Sequence, residues 1–138
     1  AGKAFIPAQD HQNMADTTIV AGLKEAGVPD PDAVMDTFLT ACEVEIKKAF
    51  DCTSVERTTH VSGGITTLFL TEKSRAFLTL IRSKDKCIIQ INKGEGYKGH
   101  ADDVLATVPF AEFSAQTAAQ KGKTIAQAYI ANAKANLE

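Results

Sequence analysis

The 138-residue chain has no apolar run approaching the roughly 18 residues that a membrane-spanning helix needs. It has no large excess of one charge either. Fifteen Lys+Arg stand against 17 Asp+Glu, a net charge of -2, which argues against a nucleic-acid binder driven by bulk charge. Cysteine is scarce: Cys42, Cys52 and Cys87 form no C-x-x-C pair, so neither a thioredoxin-type redox site nor a typical structural zinc site is indicated. An odd count cannot pair fully within one chain. One bridge plus one free thiol would fit an oxidising compartment, and three thiols the cytosol. Repeats, low-complexity tracts and linkers are missing too, which leaves a single domain over residues 1–138.

What is present is enough apolar material for a core. At 44% hydrophobic and 23% charged residues, the chain can offset its conformational entropy by burial, and intrinsic disorder is excluded. Residues 1–15 lack a clear period and read as an irregular arm. The small, polar start Ala1-Gly2-Lys3-Ala4 has the character of a mature exported protein. A secreted or periplasmic location is therefore expected, with the cytoplasm as the alternative. Leu137-Glu138 reads as a cloning remnant.

Two N-terminal helices are marked at their ends. Asp16 or Thr17 caps the first, Ile19, Val20, Leu23 and Ala26 form its stripe, and Gly27 stops it ahead of Val28 and Pro29. Asp30, Pro31 and Asp32 start the second as cap, first helical position and dipole partner. Val34, Phe38, Leu39, Cys42, Ile46 and Ala49/Phe50 build one apolar face of that helix, so Cys42 points inward. Its other face carries Asp36, Glu43 and Lys47, with Glu43 and Lys47 as an i,i+4 pair.

From Cys52 to Asn92 the period changes to two. Thr53–Val61 reads as a polar edge strand, Ser62-Gly63-Gly64 as a hairpin turn and Ile65–Thr71 as a second strand. Arg75–Arg82 is nearly all apolar and reads as a central strand covered, at least in part, on both faces. Cys87–Asn92 is the fourth strand, with Cys87, Ile89 and Ile91 on one side. Links of two to five residues permit only antiparallel neighbours. Asp102–Thr107 reads as a short helix or a strand, ended by Pro109. Beyond it, Phe110, Phe113, Ile125, Tyr129 and Ile130 give a stripe in an alanine-rich tail. Gly122 divides that tail into a short segment and a final helix over 123–137. Its small residues permit close approach to the sheet, the default, or to a second chain in a homodimer. The expected class is α+β: two N-terminal helices, a four-stranded antiparallel meander and a C-terminal Ala-rich helix packed on the sheet.

Few constellations carry chemistry. Gly94-Glu95-Gly96-Tyr97-Lys98-Gly99 matches G-x-G-x-x-G after a strand. However, the strand belongs to a meander, no long helix starts at the third glycine, and Glu95 would sit beside the phosphates. Cys52, the thiol expected to be accessible, or Cys87 with His60 or His100 supplies the parts of a nucleophilic pair, but no local motif orients them. His11, His60, His100, Asp102 and Asp103 are potential metal ligands without zinc-like spacing. No catalytic residue, metal site or cofactor is assigned. Gly94, Glu95, Gly96, Tyr97, Lys98, Gly99 and His100 are the candidate partner- or ligand-binding residues, because glycine-framed Tyr97 and Lys98 would be presented at the surface. The expected function is a non-enzymatic protein-binding module of inhibitor, immunity or adaptor type, with a protein partner and no nucleic acid. The alternative is a small-ligand-binding domain or enzyme with its site near 94–103.

Overall fold

The computed structural model describes residues 17–59, 63–73, 75–92 and 103–137. Its class is α+β, as the periodicity indicates, but the sheet has five strands where the sequence suggested four. The elements are α1 (Thr18–Glu25), α2 (Pro31–Phe50), β1 (Ser54–Thr59), β2 (Ile65–Leu70), β3 (Arg75–Ser83), β4 (Lys86–Asn92), β5 (Asp103–Pro109), a 3-10 turn (Phe110–Glu112) and α3 (Ala118–Leu137). The strands follow chain order, all antiparallel. The fifth strand covers the segment read as a short helix or a strand. Val104, Leu105 and Val108 are β-branched or apolar, and pairing with β4 satisfies backbone groups that a lone helical turn would leave open.

Local chemistry accounts for the helix ends. Thr17 caps α1, its hydroxyl accepting from the Val20 N–H at 3.3 Å. Gly27 closes α1 at φ 87, with the Gly27 N–H donating to Lys24 and the Val28 N–H to Leu23, each at 3.0 Å. This is a Schellman stop, which favours glycine because a Cβ is strained at that φ. Asp30 precedes α2 as expected, but its side chain makes no capping bond. Its backbone is left-handed (φ 48, ψ 56). The extended backbone of an ordinary cap, which aims the carboxylate at the first-turn N–H groups, is therefore lost.

The alanine-rich tail corrects a second expectation. α3 runs unbroken through Gly122; it packs on the sheet as expected, Tyr129 against Phe69, and most extensively on α2. A Cβ on Gly122 would meet the Phe38 carbonyl oxygen and lie 2.9 Å from the Ala41 Cβ. The glycine marks a close helix crossing and not a break.

The three described α-helices lie on one face of the sheet. That face presents Ile65 and Phe69 from β2, Leu78 and Leu80 from β3, and Cys87, Ile89 and Ile91 from β4, all buried. The helices contribute Ile19, Leu23, Met35, Phe38, Leu39, Ile46 and Tyr129 to the same core. Phe38 meets Phe113 edge-on at 5.2 Å, and Tyr129 lies 5.6 Å from Phe69. A register shift between Ile89 and Gln90 inserts Leu105 as an extra residue in β5, and Leu105 and Ala106 both pack against the core. The described helices cover one face, and none of them stands between strands. A meander has no crossover to carry a helix to the second face.

Candidate functional site

The residues that sequence reasoning placed at a site, Gly94 to His100, lie outside the described residues, as do His11, His60 and Asp102. Asp103 opens β5. Among the described residues no group of three or more His, Cys, Asp or Glu side chains is placed to hold a metal ion.

The thiols are settled more fully. Cys42, Cys52 and Cys87 are all free and buried. Cys42 and Cys87 point inward, as their periodicity indicated. Cys52, expected near the surface, is only 7% exposed. It follows the end of α2, where its N–H donates to the Lys47 carbonyl at 3.1 Å, and the end of the helix turns it into the core. Burial pushes the Cys42 and Cys87 thiols from 9.0 up to about 12 and raises that of Cys52. A nucleophilic cysteine needs the opposite shift, toward thiolate at neutral pH. A thiol reagent added to the native chain at pH 7.5 is therefore expected to label less than one thiol per chain within minutes, and all three after denaturation. Rapid labelling of Cys52 in the native state would contradict this assignment.

The same burial sets a pH dependence. In the unfolded chain a thiol ionises near 9, whereas Cys42 and Cys87 hold their protons in the folded chain to about 12. The folded state then binds more protons, so stability is undiminished below about pH 9 and falls as pH rises toward 12. Denaturation midpoints measured from pH 7 to 11 should decline above pH 9, and Cys87→Ala should flatten the decline.

A buried ion cluster joins α2 to β1. Arg57 projects from the inner face of the edge strand with its side chain 12% exposed. Its Nε and Nη2 donate to Glu43 at 3.0 and 2.8 Å, and its Nη1 donates to Asp36 at 2.7 Å. The Thr67 hydroxyl donates to Glu43 at 2.8 Å. The carboxylates raise the affinity of Arg57 for its proton against the cost of burial. Spacing alone puts Asp36 and Glu43 on the polar face of α2 and pairs Glu43 with Lys47. The structure instead turns Glu43 to Arg57. The signal was legible: Asp36, Thr40 and Glu43 are spaced i, i+4, i+7 along one side of the helix, and Arg57 alternates in phase with Val55 and Thr59. Both carboxylates accept from Arg57, and the cluster clamps the edge of the sheet to α2.

A groove of about 580 Å³ lies between the Val108 end of β5 and the first turns of α3. Val108 and Ile125 are its apolar side chains, and Glu112, Gln116, Thr117 and Lys121 are among its polar ones. It sits at the far end of β5 from Asp103, about 17 Å away at five residues of about 3.3 Å each. Asp103 does not line it, and 94–102 lie outside the described residues.

The outer face of the sheet is the third feature. Leu68, Leu70, Phe77, Ile81 and Ile88 alternate with the core positions, are half-buried, and lie outside the hydrophobic core cluster. Cross-strand register orders them in rows. Leu68 stands opposite Phe77, and Ile81 opposite Ile88. Between these rows runs a neutral polar row, Thr58–Thr66–Thr79–Gln90, that ends on Val104, itself 56% exposed. On β2, β3 and β4 these three rows hold no charged residue. Glu56, Arg75 and Lys86 stand around them. No described helix covers this face, and the outer β3 residues Phe77, Thr79 and Ile81 are half-buried. The near-continuous apolar run of β3 is the sequence signal for this face.

No family model matches the chain, and no curated protein or solved structure matches it either.

Proposed function

We propose that the protein is a non-enzymatic protein-binding module that acts through the outer face of its sheet. The observation that carries this reading is the set Leu68, Leu70, Ile81 and Ile88, apolar side chains on the sheet face opposite the hydrophobic core. Contiguous apolar surface that a fold does not use for its own core marks an interaction site. An uncharged centre with charge at the rim is the usual anatomy of such a surface. The inert thiols and the satisfied Arg57 cluster support binding over catalysis.

A tagged chain is expected to retain its partner from the native source, whether another protein or an untagged copy of itself. Ile81→Asp should release that partner while circular dichroism shows the chain still folded, at a cost of about 1–2 kcal/mol for a charged residue at a half-buried strand position. Thr124→Arg, in the groove, should retain it. Retention by Ile81→Asp would end this reading.

The groove favours a second reading, a small-ligand site, since its volume of about 580 Å³ lies within the range of such pockets. A thermal-shift screen with nucleotides, metals and lipids tests it. A ligand whose shift disappears in Thr124→Arg supports it, and no shift with any class removes it.

A further inference from the structure

We infer that the open edge of β5, with the groove beside it, takes a short extended segment of another protein as an added strand, at a site separate from the outer sheet face. The first argument is backbone pairing. The Phe110 N–H donates to the Asp85 carbonyl at 2.9 Å, one step beyond the Lys86–Pro109 pair. Bonded and non-bonded pairs alternate along an antiparallel ladder. Cys87–Val108 is therefore a bonded pair, and Ile88–Thr107 and Lys86–Pro109 are non-bonded ones. A residue of a non-bonded pair turns its backbone groups away from the partner strand. Thr107 thus presents an N–H and a C=O, and Pro109 a C=O, at an edge where no described strand pairs.

The groove is the second argument, because it distinguishes this edge from the other. At β1 the space beside the strand is filled, since Arg57 bridges to Asp36 and Glu43 of α2. At β5 the helix stands off. Gly122 seats α3 against Phe38 and Ala41 of α2, while Lys121, Thr124 and Ile125 line the groove of about 580 Å³ that Val108 also lines. An added strand places every second side chain on the helix side of the sheet. The side chain opposite Val108 then enters the groove and meets Val108 and Ile125, its apolar pair. Main-chain bonds at an edge and a pocket for alternate side chains are the two components of recognition by strand addition.

The same features set the chemistry of the segment. β5 holds a bulge at Leu105 and ends on Pro109, which has no N–H to donate, so the edge is open to pairing only around Thr107. The occupant is therefore a short segment and not the full edge strand of a second copy. The charges on the groove, Glu112 and Lys121, are opposite in sign, and its apolar side chains are Val108 and Ile125. The side chain that enters it is accordingly apolar and uncharged.

The test pans random short peptides displayed on phage against the tagged full chain. Enriched peptides, synthesised with a fluorophore, are then titrated by anisotropy with the native chain, Thr107→Pro, Thr124→Arg and Ile81→Asp. Thr107→Pro removes the outward N–H and no ladder bond, and proline is tolerated on the solvent side of an edge strand. Thr124 is exposed, so Thr124→Arg obstructs the groove with the backbone intact and keeps the test decisive should Thr107→Pro fail to fold. Circular dichroism reports whether each variant is folded. Enriched peptides are expected to carry apolar residues at alternate positions, and folded Thr107→Pro and Thr124→Arg should each weaken them at least about tenfold. N-methylation of peptide amides should weaken binding at one parity only, that of the N–H groups facing β5. Absence of any bound peptide overturns the inference, and a metabolite that then shifts the melting temperature supports the small-ligand reading of the groove instead. Peptides kept by either folded variant, or weakened equally by methylation at both parities, also overturn it. Peptides kept by both but lost in Ile81→Asp overturn it in favour of the outer face.

Discussion

Arg57→Met is expected to destabilise the folded chain by about 3 kcal/mol, the largest effect anticipated for any single change described above. Methionine preserves much of the side-chain volume, so the loss is electrostatic. Glu43, whose side chain is 13% exposed, would keep the Thr67 hydroxyl but lose the two guanidinium bonds at 3.0 and 2.8 Å. Removing one partner of a buried pair costs about 3–5 kcal/mol, because an uncompensated charge stays behind. The lower end applies here, since Asp36 is 33% exposed and water reaches that side of the cluster. Replacing both partners behaves differently. Arg57→Met with Glu43→Leu presents two apolar side chains where two charges had to be desolvated, so the double variant should be more stable than either single variant. Urea denaturation of all four chains gives the coupling directly. Single-variant losses that simply add in the double variant would show that the two residues do not act as a pair.

Gly122→Ala should cost about 2 kcal/mol, although helix propensity alone favours alanine by about 1 kcal/mol at an interior position. The reversal of sign is the diagnostic. A Cβ at 122 would collide with the Phe38 carbonyl and lie 2.9 Å from the Ala41 Cβ and 3.1 Å from the Cys42 nitrogen. Two of those neighbours are helix backbone and the third is a methyl carbon fixed to it, so none can rotate away. α3 must move off α2, and overpacking of this kind costs about 1–3 kcal/mol before the fit of Tyr129 against Phe69 is disturbed. A fall of about 6 °C in melting temperature is expected for a domain of this size. An unchanged or raised melting temperature would show that the helices are not held at this separation.

Much of the fold was legible because it rests on local rules. The stop at Gly27 and the start at Pro31 follow from the φ each residue permits and the N–H each supplies or lacks. The antiparallel meander followed from links too short for a crossover. The inward direction of Cys42 and Cys87 followed from periods of 3.6 and two. The misreadings share one cause. Gly122 reads as a helix breaker when only its own backbone is considered, but Phe38, 84 residues earlier, decides that it is the residue permitting close approach. Glu43 reads as a partner for Lys47 until β1 brings Arg57 against it. Cys52 reads as exposed until the end of α2 turns it under the helices.

The candidate sites divide in the same way. Sequence directed attention to Gly94–His100, whose glycines and exposed chemistry are visible in one dimension. The outer sheet face is invisible there, since Leu68, Phe77, Ile81 and Ile88 look like any other core residues of apolar strands. The sequence by itself determined that these strands are apolar at both parities and antiparallel in chain order. Only the tertiary structure decided that one parity is core and the other a surface. The reason is geometric: the described helices gather on one face of the sheet.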